Sequence, residues 1–291
     1  MYNPHWMPCP TCGDPTPRNA DVCRPEGHPM GYLNVNIYAD PFYTDALEQR
    51  YELAVAEAAT ADKASQAAAL TMAVEQSGQA IINMDFHTVC RMINDKEDYL
   101  PYQLAIEAGK GERMSFLLDK DRCVVEAAFY GSAGRQIVYA ALALDDEGLT
   151  AYGKQTAVLK TPRIAQRTTV FERDTYFLYD DFYAMGWNPK GPELPAGHSA
   201  TWSGRGQLAL CKHVAEMPDD MSEASWAKLL LQPATAGRGD EFIELHIFNK
   251  VSPVVLERVV VREVPQKPFH QIQWDILKTE AAQMGIHIAE P

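Results

Sequence analysis

The chain has no long apolar run and no surplus of positive charge, and both absences limit what it can be. None of its apolar stretches approaches the roughly 18 residues that a membrane-spanning helix needs. The first seven residues lack the basic and apolar regions of a secretory signal, so we expect a cytoplasmic protein with no membrane partner. The net charge of −13 argues against broad binding to a phosphate backbone and leaves open only a local basic groove.

The sequence also lacks the short motifs of several common enzyme classes. It contains no G-x-S-x-G nucleophile elbow, no Walker A loop and no H-E-x-x-H helix. A serine hydrolase, a P-loop enzyme and a zinc protease of the H-E-x-x-H type are therefore poorly supported. A doubly wound nucleotide fold is disfavoured too, because regular strand–helix alternation and a glycine-rich first turn are missing.

Three of the six cysteines lie within the first 23 residues. Cys9 and Cys12 are separated by two residues, which is the spacing of a zinc knuckle. Cys23 and His28 follow at a distance that lets them act as third and fourth ligands, and His5 is an alternative to His28. Four protein ligands leave no open coordination position, so the sequence predicts a structural Zn²⁺ site.

The rest of the chain divides into a helical region and a β-rich region. Residues 41–112 are predicted to be helical. A long Ala-rich helix over 41–86 breaks near Ala61 and Asp62, and Thr44 or Asp45 could cap its start. Two shorter helices, 87–93 and 99–108, follow it. Residues 113–291 are predicted to be a mostly β catalytic domain, with one short helix at 225–231 and a long loop at 187–206. The predicted strands cover 123–130, 136–144, 156–160, 167–171, 241–248 and 254–264.

This order of elements, after a zinc-knuckle segment over residues 1–36, indicates an α+β protein. Within it, Glu244 stands out because it is embedded in an alternating apolar strand that follows a glycine-rich loop. Burying an ionised carboxylate is costly unless a partner or ligand compensates it. An edge-strand Glu that faces water is the plain alternative. His246 lies two residues later on the same strand face, where it would either orient the carboxylate or simply pack.

Several upstream side chains could share a cleft with Glu244, namely Tyr130, Tyr152, Arg167 and Asp174. A carboxylate, a cation and aromatic rings suit the cleavage of the nicotinamide–ribose bond of NAD. That reaction passes through an oxocarbenium-like state, which a carboxylate stabilises. The plain alternatives are that Arg167 is a surface arginine and that Asp174 only caps a turn. Tyr130 and Tyr152 would then be core tyrosines whose hydroxyl groups are satisfied.

Residues 149–160, 164–175 and 241–247 resemble the C-terminal region of ADP-ribosyltransferase-like bacterial toxin domains. Such domains pair a Tyr-Gly…Leu-Lys…Arg-[Ser/Thr] stretch with a terminal strand that carries the catalytic Glu, and the resemblance covers roughly residues 125–264. The cysteine-containing leader is similar to leaders of such bacterial proteins. The resemblance implies an ADP-ribosyltransferase-like split β-sandwich that clamps NAD.

The resemblance also implies roles for individual residues. Glu244 corresponds to the catalytic carboxylate that holds the ribose. Tyr130, Arg135 and Arg167 compete for the position that grips NAD from the first strand, and Thr168 with Thr169 stands where the family has a Ser-Thr-Ser motif. The catalytic candidates are Glu244, Arg167 and Tyr130, and the NAD-binding candidates are Tyr152, Thr168, Thr169, Asp174 and His246. Phe242 replaces the second Glu of the arginine-modifying subclass, which argues against an arginine acceptor.

The leading hypothesis is an NAD-dependent mono-ADP-ribosyltransferase, a bacterial or phage-related toxin of a toxin–antitoxin or phage-defence system. Its acceptor would be a protein, RNA or DNA, and its helical region could bind an antitoxin or a chaperone. One alternative is a non-enzymatic zinc-binding adaptor or phage structural protein that interacts through its helices. The other is a nucleic-acid-processing enzyme that uses the zinc module to recognise its target.

Overall fold

The computed structural model describes residues 6–9, 11–17, 20, 22–23, 25–111, 116–188, 194–218, 223–235, 239–263 and 266–290. The described helices are α1 (Leu33–Tyr38), α2 (Pro41–Thr60), α3 (Ala64–Ser77), α4 (Phe86–Asn94), α5 (Tyr102–Glu107), α6 (Phe116–Tyr130), α7 (Thr161–Ile164), α8 (Thr175–Ala184), α9 (Arg205–His213), α10 (Glu223–Leu230) and α11 (Pro268–Gln283). The described strands are β1 (Trp6–Pro8), β2 (Pro15–Pro17), β3 (Gln79–Met84), β4 (Ile137–Ala143), β5 (Gln155–Leu159), β6 (Thr168–Phe171), β7 (Ser199–Thr201), β8 (Leu231–Gln232), β9 (Glu241–Phe242), β10 (Glu244–Phe248), β11 (Leu256–Val261) and β12 (His287–Ala289).

Eight of the described strands form one large mixed sheet in the order β12-β11-β5-β3-β4-β10-β6-β7. Neighbouring strands are antiparallel except for β11 and β12, which run parallel. The sheet, the helices around it and the N-terminal Cys/His cluster confirm a protein that mixes α and β structure. The split β-sandwich remains a prediction.

The long Ala-rich stretch breaks where the sequence indicates. Helix α2 ends at Thr60, and Asp62 adopts a left-handed backbone with φ of 59° before α3 begins. The start of α2 differs from the prediction, because Asp40 rather than Thr44 or Asp45 accepts the first free backbone N–H, from Phe42 at 2.9 Å. An Asp at the cap followed by proline at the first helical position is a favourable helix start.

Other elements also differ from the prediction. Residues 79–84, predicted as helix, form the central strand β3, and α3 stops at Gly78, where a Cβ would lie 2.3 Å from the Val74 carbonyl oxygen. Residues 123–130, predicted as a strand, belong to helix α6, in which Val125, Glu126, Phe129 and Tyr130 are buried at helical spacing. Helices α8, α9 and α11 also lie in the region predicted to be mostly β.

The sheet joins regions that the sequence suggested were separate. Strand β3, from the region predicted to be helical, pairs with both β4 and β5 from the later region. One sheet face carries Ile82, Val138 and Leu245 and packs in the main core with residues of α2, α3, α4, α9 and α11. Strands from both sides of the predicted boundary near residue 112 therefore belong to one sheet.

The opposite sheet face carries the polar residues of interest. Register places Glu244 beside Ala141 and His246 beside Tyr139. Two smaller apolar clusters cover this face, one with Phe129, Tyr130 and Phe171 and the other with Ile81, Leu149 and Phe242. Within the described helices, none is both long and apolar enough to cross a membrane.

Candidate functional site

A cavity of about 370 Å³ lies on this second sheet face, with residues of both small apolar clusters in its wall. Strands β3, β4 and β10 contribute one side, helix α6 and the start of α8 another, and the β4–β5 connection a third. Its polar and aromatic lining comes from Asn83, Tyr99, Arg122, Tyr139, Tyr152, Asp174, Thr175, Tyr176, Phe242 and Glu244.

Glu244 is the first residue of β10, and the residue is 5% exposed within the cavity wall. One oxygen, Oε2, accepts from the backbone N–H of Thr175 at 2.8 Å and from the Thr175 hydroxyl at 2.7 Å. It also lies 2.9 Å from Nε2 of His246. The N-terminus of α8, which begins at Thr175, adds the positive end of a helix dipole.

The two oxygens of Glu244 have different surroundings. Oε2 has three donors, whereas Oε1 has no hydrogen-bond partner among the described residues. A carboxylate held through one oxygen keeps a fixed orientation while its other oxygen stays free for a ligand. The arrangement therefore presents a negative charge to the cavity without requiring the side chain to move.

Glu244 belongs to a buried network of hydrogen-bonded side chains. The Tyr130 hydroxyl lies 2.7 Å from Nδ1 of His246 and 3.0 Å from the Thr169 hydroxyl. If Tyr130 donates to Nδ1, then Nε2 carries the hydrogen and donates to Glu244, which satisfies all three groups. Burial raises the pKa of Tyr130 well above its usual value, so its hydroxyl keeps its proton. Tyr130 and His246 thus position the carboxylate and do not line the cavity.

Replacing Tyr130 with Phe tests this hydrogen-bonded chain. The change leaves the buried Nδ1 of His246 without its partner, so we expect the free energy of unfolding to fall by about 1–3 kcal/mol. Urea denaturation measures this loss. Tyr38→Phe is the matched control, because Tyr38 is buried in the same cluster and its hydroxyl makes one 3.4 Å contact with the Phe129 carbonyl. Equal losses in the two variants would contradict the assignment.

Asp174 is a second carboxyl group on the cavity wall. It caps α8 by accepting from the Tyr176 backbone N–H at 2.8 Å. Burial, followed by the nearby charge of Glu244, raises the pKa of Asp174 to about 7. The cavity wall therefore carries two carboxyl groups, Glu244 and Asp174, and the pKa of Asp174 near neutral pH is suited to general acid–base chemistry.

The raised pKa of Asp174 has a consequence for stability. Because the folded-state pKa exceeds the ordinary aspartate value of 3.8, ionising Asp174 costs stability as the pH rises from about 4 to about 7. We expect Asp174→Asn, which retains the capping acceptor, to raise the free energy of unfolding by about 1–3 kcal/mol at pH 8 and to change it little at pH 4. Urea denaturation at both pH values checks this, and a difference that does not vary with pH would contradict it.

The cavity wall also carries a cation, Arg122 of α6. Its guanidinium carbon lies 4.5 Å from the ring centres of both Tyr102 and Tyr139, and its Nε donates to Glu126 at 3.0 Å. Glu126 is buried and also accepts from the Tyr139 hydroxyl at 3.0 Å. Arg122 is thus fixed in place by two rings and one carboxylate.

The N-terminal cluster is a second candidate site. The ligand atoms of Cys9, Cys12, Cys23 and His28 all lie within 4.8 Å of one another. Sγ of Cys12 is 3.9 Å from Sγ of Cys23, and Nδ1 of His28 is 3.8 Å from Sγ of Cys9 and 3.6 Å from Sγ of Cys23. In a tetrahedral zinc site, Zn–S and Zn–N distances of about 2.3 and 2.0 Å place neighbouring ligand atoms about 3.5–3.8 Å apart. The cluster could therefore hold a metal ion such as zinc.

Local backbone geometry brings these ligands together. The backbone carbonyl of Cys9 accepts a 2.8 Å hydrogen bond from the backbone N–H of Gly13. The carbonyl of Cys23 accepts one of the same length from Gly27. Both glycines have φ near +70° to +80°, a conformation that other residues rarely adopt. Nε2 of His28 lies 3.3 Å from Glu26, as expected for a metal-bound histidine whose second nitrogen is held by a carboxylate. His5, the alternative ligand, lies outside the described residues.

No model of a known protein family matches this chain. A comparison with curated proteins gives no match either. The assignment of function consequently depends on the two sites and their chemistry.

The structure brings some of the predicted site residues together and separates others. Glu244, Asp174 and Tyr152 line the cavity, and Tyr130, Thr169 and His246 lie behind Glu244. The Tyr152 side chain is 56% exposed, and its ring centre is 6.3 Å from that of Phe242.

Arg167 and Thr168 do not line the cavity. Arg167 lies at the opposite end of β10 from Glu244, where its guanidinium donates to the carbonyls of Phe248, Asn249 and Lys250. Thr168 is buried, and its hydroxyl donates to the Ile164 carbonyl at 2.8 Å. Arg135 donates to Glu107 and also stays outside the cavity. The cation of the cavity wall is instead Arg122.

Five further residues of the cavity wall were not predicted from the sequence, namely Asn83, Tyr99, Arg122, Tyr139 and Thr175. Arg122 carried a usable signal, because Arg122 and Glu126 stand at the i,i+4 spacing of a helical ion pair. Asn83 and Tyr139 sit in apolar strands at positions that share a face with the cavity. Thr175 follows an Asp that is a strong helix-cap residue, which could have indicated the start of α8.

Proposed function

We propose that this protein is an NAD-dependent mono-ADP-ribosyltransferase that acts on a macromolecule, with Glu244 as its catalytic carboxylate. The observation that carries the proposal is the buried Glu244, fixed through one oxygen at the start of β10 and open to a cavity through the other. That placement supports the relationship to ADP-ribosyltransferase-like domains, in which the catalytic Glu begins a late strand, and supports a related sheet architecture.

In the proposed reaction the bond between nicotinamide and the ribose of NAD breaks. The bonding electron pair goes to the nicotinamide nitrogen, and positive charge develops on the ribose. Oε1 of Glu244 would lie against this ribose and stabilise the charge, an effect of about 10²–10³ in rate for one well-placed group. A nucleophilic atom of the acceptor then bonds to the ribose carbon and loses its proton.

Asp174 and the aromatic rings supply the remaining functions. A carboxyl group with a pKa near 7 accepts a proton readily at neutral pH, so Asp174 is suited to deprotonate the acceptor. Tyr152 and Phe242 present aromatic rings on the same wall and could stack against nicotinamide. Phe242 lies where the arginine-modifying subclass has its second Glu, which supports an acceptor other than arginine.

The Cys/His cluster is proposed to bind a structural Zn²⁺. Its four ligands would close the coordination sphere, so the metal would supply stability and no chemistry. The cluster is followed directly by α1, whose Asn34 donates to the carbonyls of His246 and Arg167 at 3.0 Å. A rigid N-terminal segment would therefore support the strand that carries Glu244.

Incubation with NAD labelled in its adenylate phosphate, together with a cell lysate, tests the proposal. We expect label on a macromolecule, and separate protease and nuclease digestion then assigns the acceptor to protein, RNA or DNA. Co-purification from the same lysate tests whether an antitoxin or chaperone binds. A lysate that stays unlabelled while an added control transferase labels it would contradict the proposal.

A second candidate is a zinc-binding adaptor, and two observations favour it. The Cys/His cluster has the geometry of a structural metal site. Helix α11 also exposes Phe269, Ile272 and Ile276, an apolar row at helical spacing that a partner protein could cover. This candidate predicts bound metal without any NAD cleavage.

A further inference from the structure

A groove of about 610 Å³ adjoins the cavity that holds Glu244. Tyr99, Arg122 and Tyr139 line both spaces, so the two meet at these three side chains. The rest of the groove is formed by α4, α5 and the segments between them and next to them. The smaller cavity alone is near the lower end of the roughly 300–1,000 Å³ typical of ligand pockets. A ligand as long as a dinucleotide would need both spaces.

The junction between the two spaces carries a preorganised cation. The Arg122 guanidinium is held between two tyrosine rings and by Glu126 through Nε alone. Its two terminal nitrogens have no hydrogen-bond acceptor within the described part of the chain. Arginine presents paired N–H groups in a fixed plane that matches phosphate oxygens, so this side chain is suited to a phosphate at the junction.

The acidic and basic side chains that line the groove differ in whether they have a partner. Each of its carboxylates has a partner: Asp85 accepts from Thr88, Glu97 pairs with Lys110 at 3.0 Å, and Asp98 pairs with Lys250 at 2.6 Å.

Arg91 has no carboxylate partner among the described residues. Its Nη1 donates to the Lys110 carbonyl at 3.2 Å, and its buried Nε has no partner there. Both Arg91 and Arg122 act electrostatically on the Tyr99 phenol, so they face the same region. The guanidinium groups of Arg91 and Arg122 thus both have N–H groups without an acceptor among the described residues.

We propose that the cavity and the groove form one continuous dinucleotide site, with the nucleoside diphosphate half of the ligand in the groove and its phosphates at Arg122 and Arg91. The reacting ribose lies at Glu244, and the two phosphates extend past the junction. Tyr99 and Tyr102 offer rings to the nucleoside. This inference rests on the proposed function for the identity of the ligand as NAD.

Calorimetric binding of ADP-ribose, ADP and nicotinamide to the full chain tests the site. We expect Arg122→Gln and Arg91→Gln each to weaken ADP-ribose and ADP binding by about 10- to 100-fold and to leave nicotinamide binding unchanged. Arg91→Gln guards against misfolding of Arg122→Gln, because among the described residues Arg91 has no carboxylate that its loss would leave unpaired. Arg163→Gln, an exposed arginine outside the groove, is the charge-matched control and should bind like the wild type.

The outcomes separate this inference from the proposed function. If the wild type releases nicotinamide from NAD and both arginine variants bind ADP-ribose normally, only the extension into the groove is wrong. If ADP-ribose binds in an arginine-dependent way but NAD stays intact, the transferase assignment is wrong and the nucleotide site stands. A wild type that binds neither ADP nor ADP-ribose, or an equal loss in Arg163→Gln, overturns the site itself.

Discussion

Glu244→Gln is expected to lower the rate of nicotinamide release from NAD by about 10²–10³-fold, because it removes the negative charge that is proposed to stabilise the ribose. The fold should persist. Glutamine can turn its carbonyl oxygen toward Thr175 and His246, which keeps the three donors satisfied, and present its amide to the cavity. The far-UV circular dichroism spectrum should therefore match that of the wild type.

Glu241→Gln is the matched control for Glu244→Gln. Glu241 lies three residues earlier, outside the cavity wall, and pairs with Lys212 at 2.7 Å. Both changes remove one carboxylate from the same part of the chain, so a general effect of charge would appear in both. We expect Glu241→Gln to release nicotinamide at the wild-type rate. A folded Glu244→Gln protein with wild-type activity would show that Glu244 is not the catalytic group.

Cys23→Ser is expected to abolish metal binding by the N-terminal cluster. Cys23 is fully buried, and its sulfur lies 3.9 Å from Sγ of Cys12 and 3.6 Å from Nδ1 of His28, so it is a central member of the four-residue cluster. Zinc binding contributes about 10–16 kcal/mol of apparent free energy in zinc-finger peptides. We therefore expect the segment to lose its order without the metal, and its backbone amides to exchange with solvent much faster.

Elemental analysis of the purified protein checks the metal, and hydrogen exchange checks the order of the segment. The wild type should carry about one zinc per chain and Cys23→Ser none. Cys123→Ser is the control, since Cys123 is an exposed thiol of α6 outside the cluster and should leave the metal in place. Retention of the metal by Cys23→Ser would show that the four residues are not its ligands.

The parts of the site that were predictable depend on local sequence. The four residues of the N-terminal cluster lie within about twenty residues of chain. The cysteine spacing alone therefore predicted which residues come together there. Glu244 was recognisable because a carboxylate in an apolar strand signals a compensated environment. The break after α2 was visible because Asp62 interrupts an otherwise continuous helical pattern.

The parts that were missed depend on contacts between distant segments. Thr175 and Glu244 are 69 residues apart, and Tyr130 and His246 are 116 apart, so no local pattern reveals either pair. Assigning 123–130 to a strand hid Arg122, because only a helix places it over Tyr139 and beside Glu126. Arg167 was a candidate phosphate ligand because it is an arginine. It lies at the far end of β10 from Glu244, where its guanidinium donates to backbone carbonyls instead.

The chromatographic identification of the products formed from NAD tests the central claim most directly. The purified protein is incubated with NAD and cell lysate, and nicotinamide, AMP and intact NAD are quantified over time. We expect nicotinamide in a wild-type reaction and its near absence with Glu244→Gln. Intact NAD after prolonged incubation, or AMP released by cleavage between the two phosphates, would contradict it.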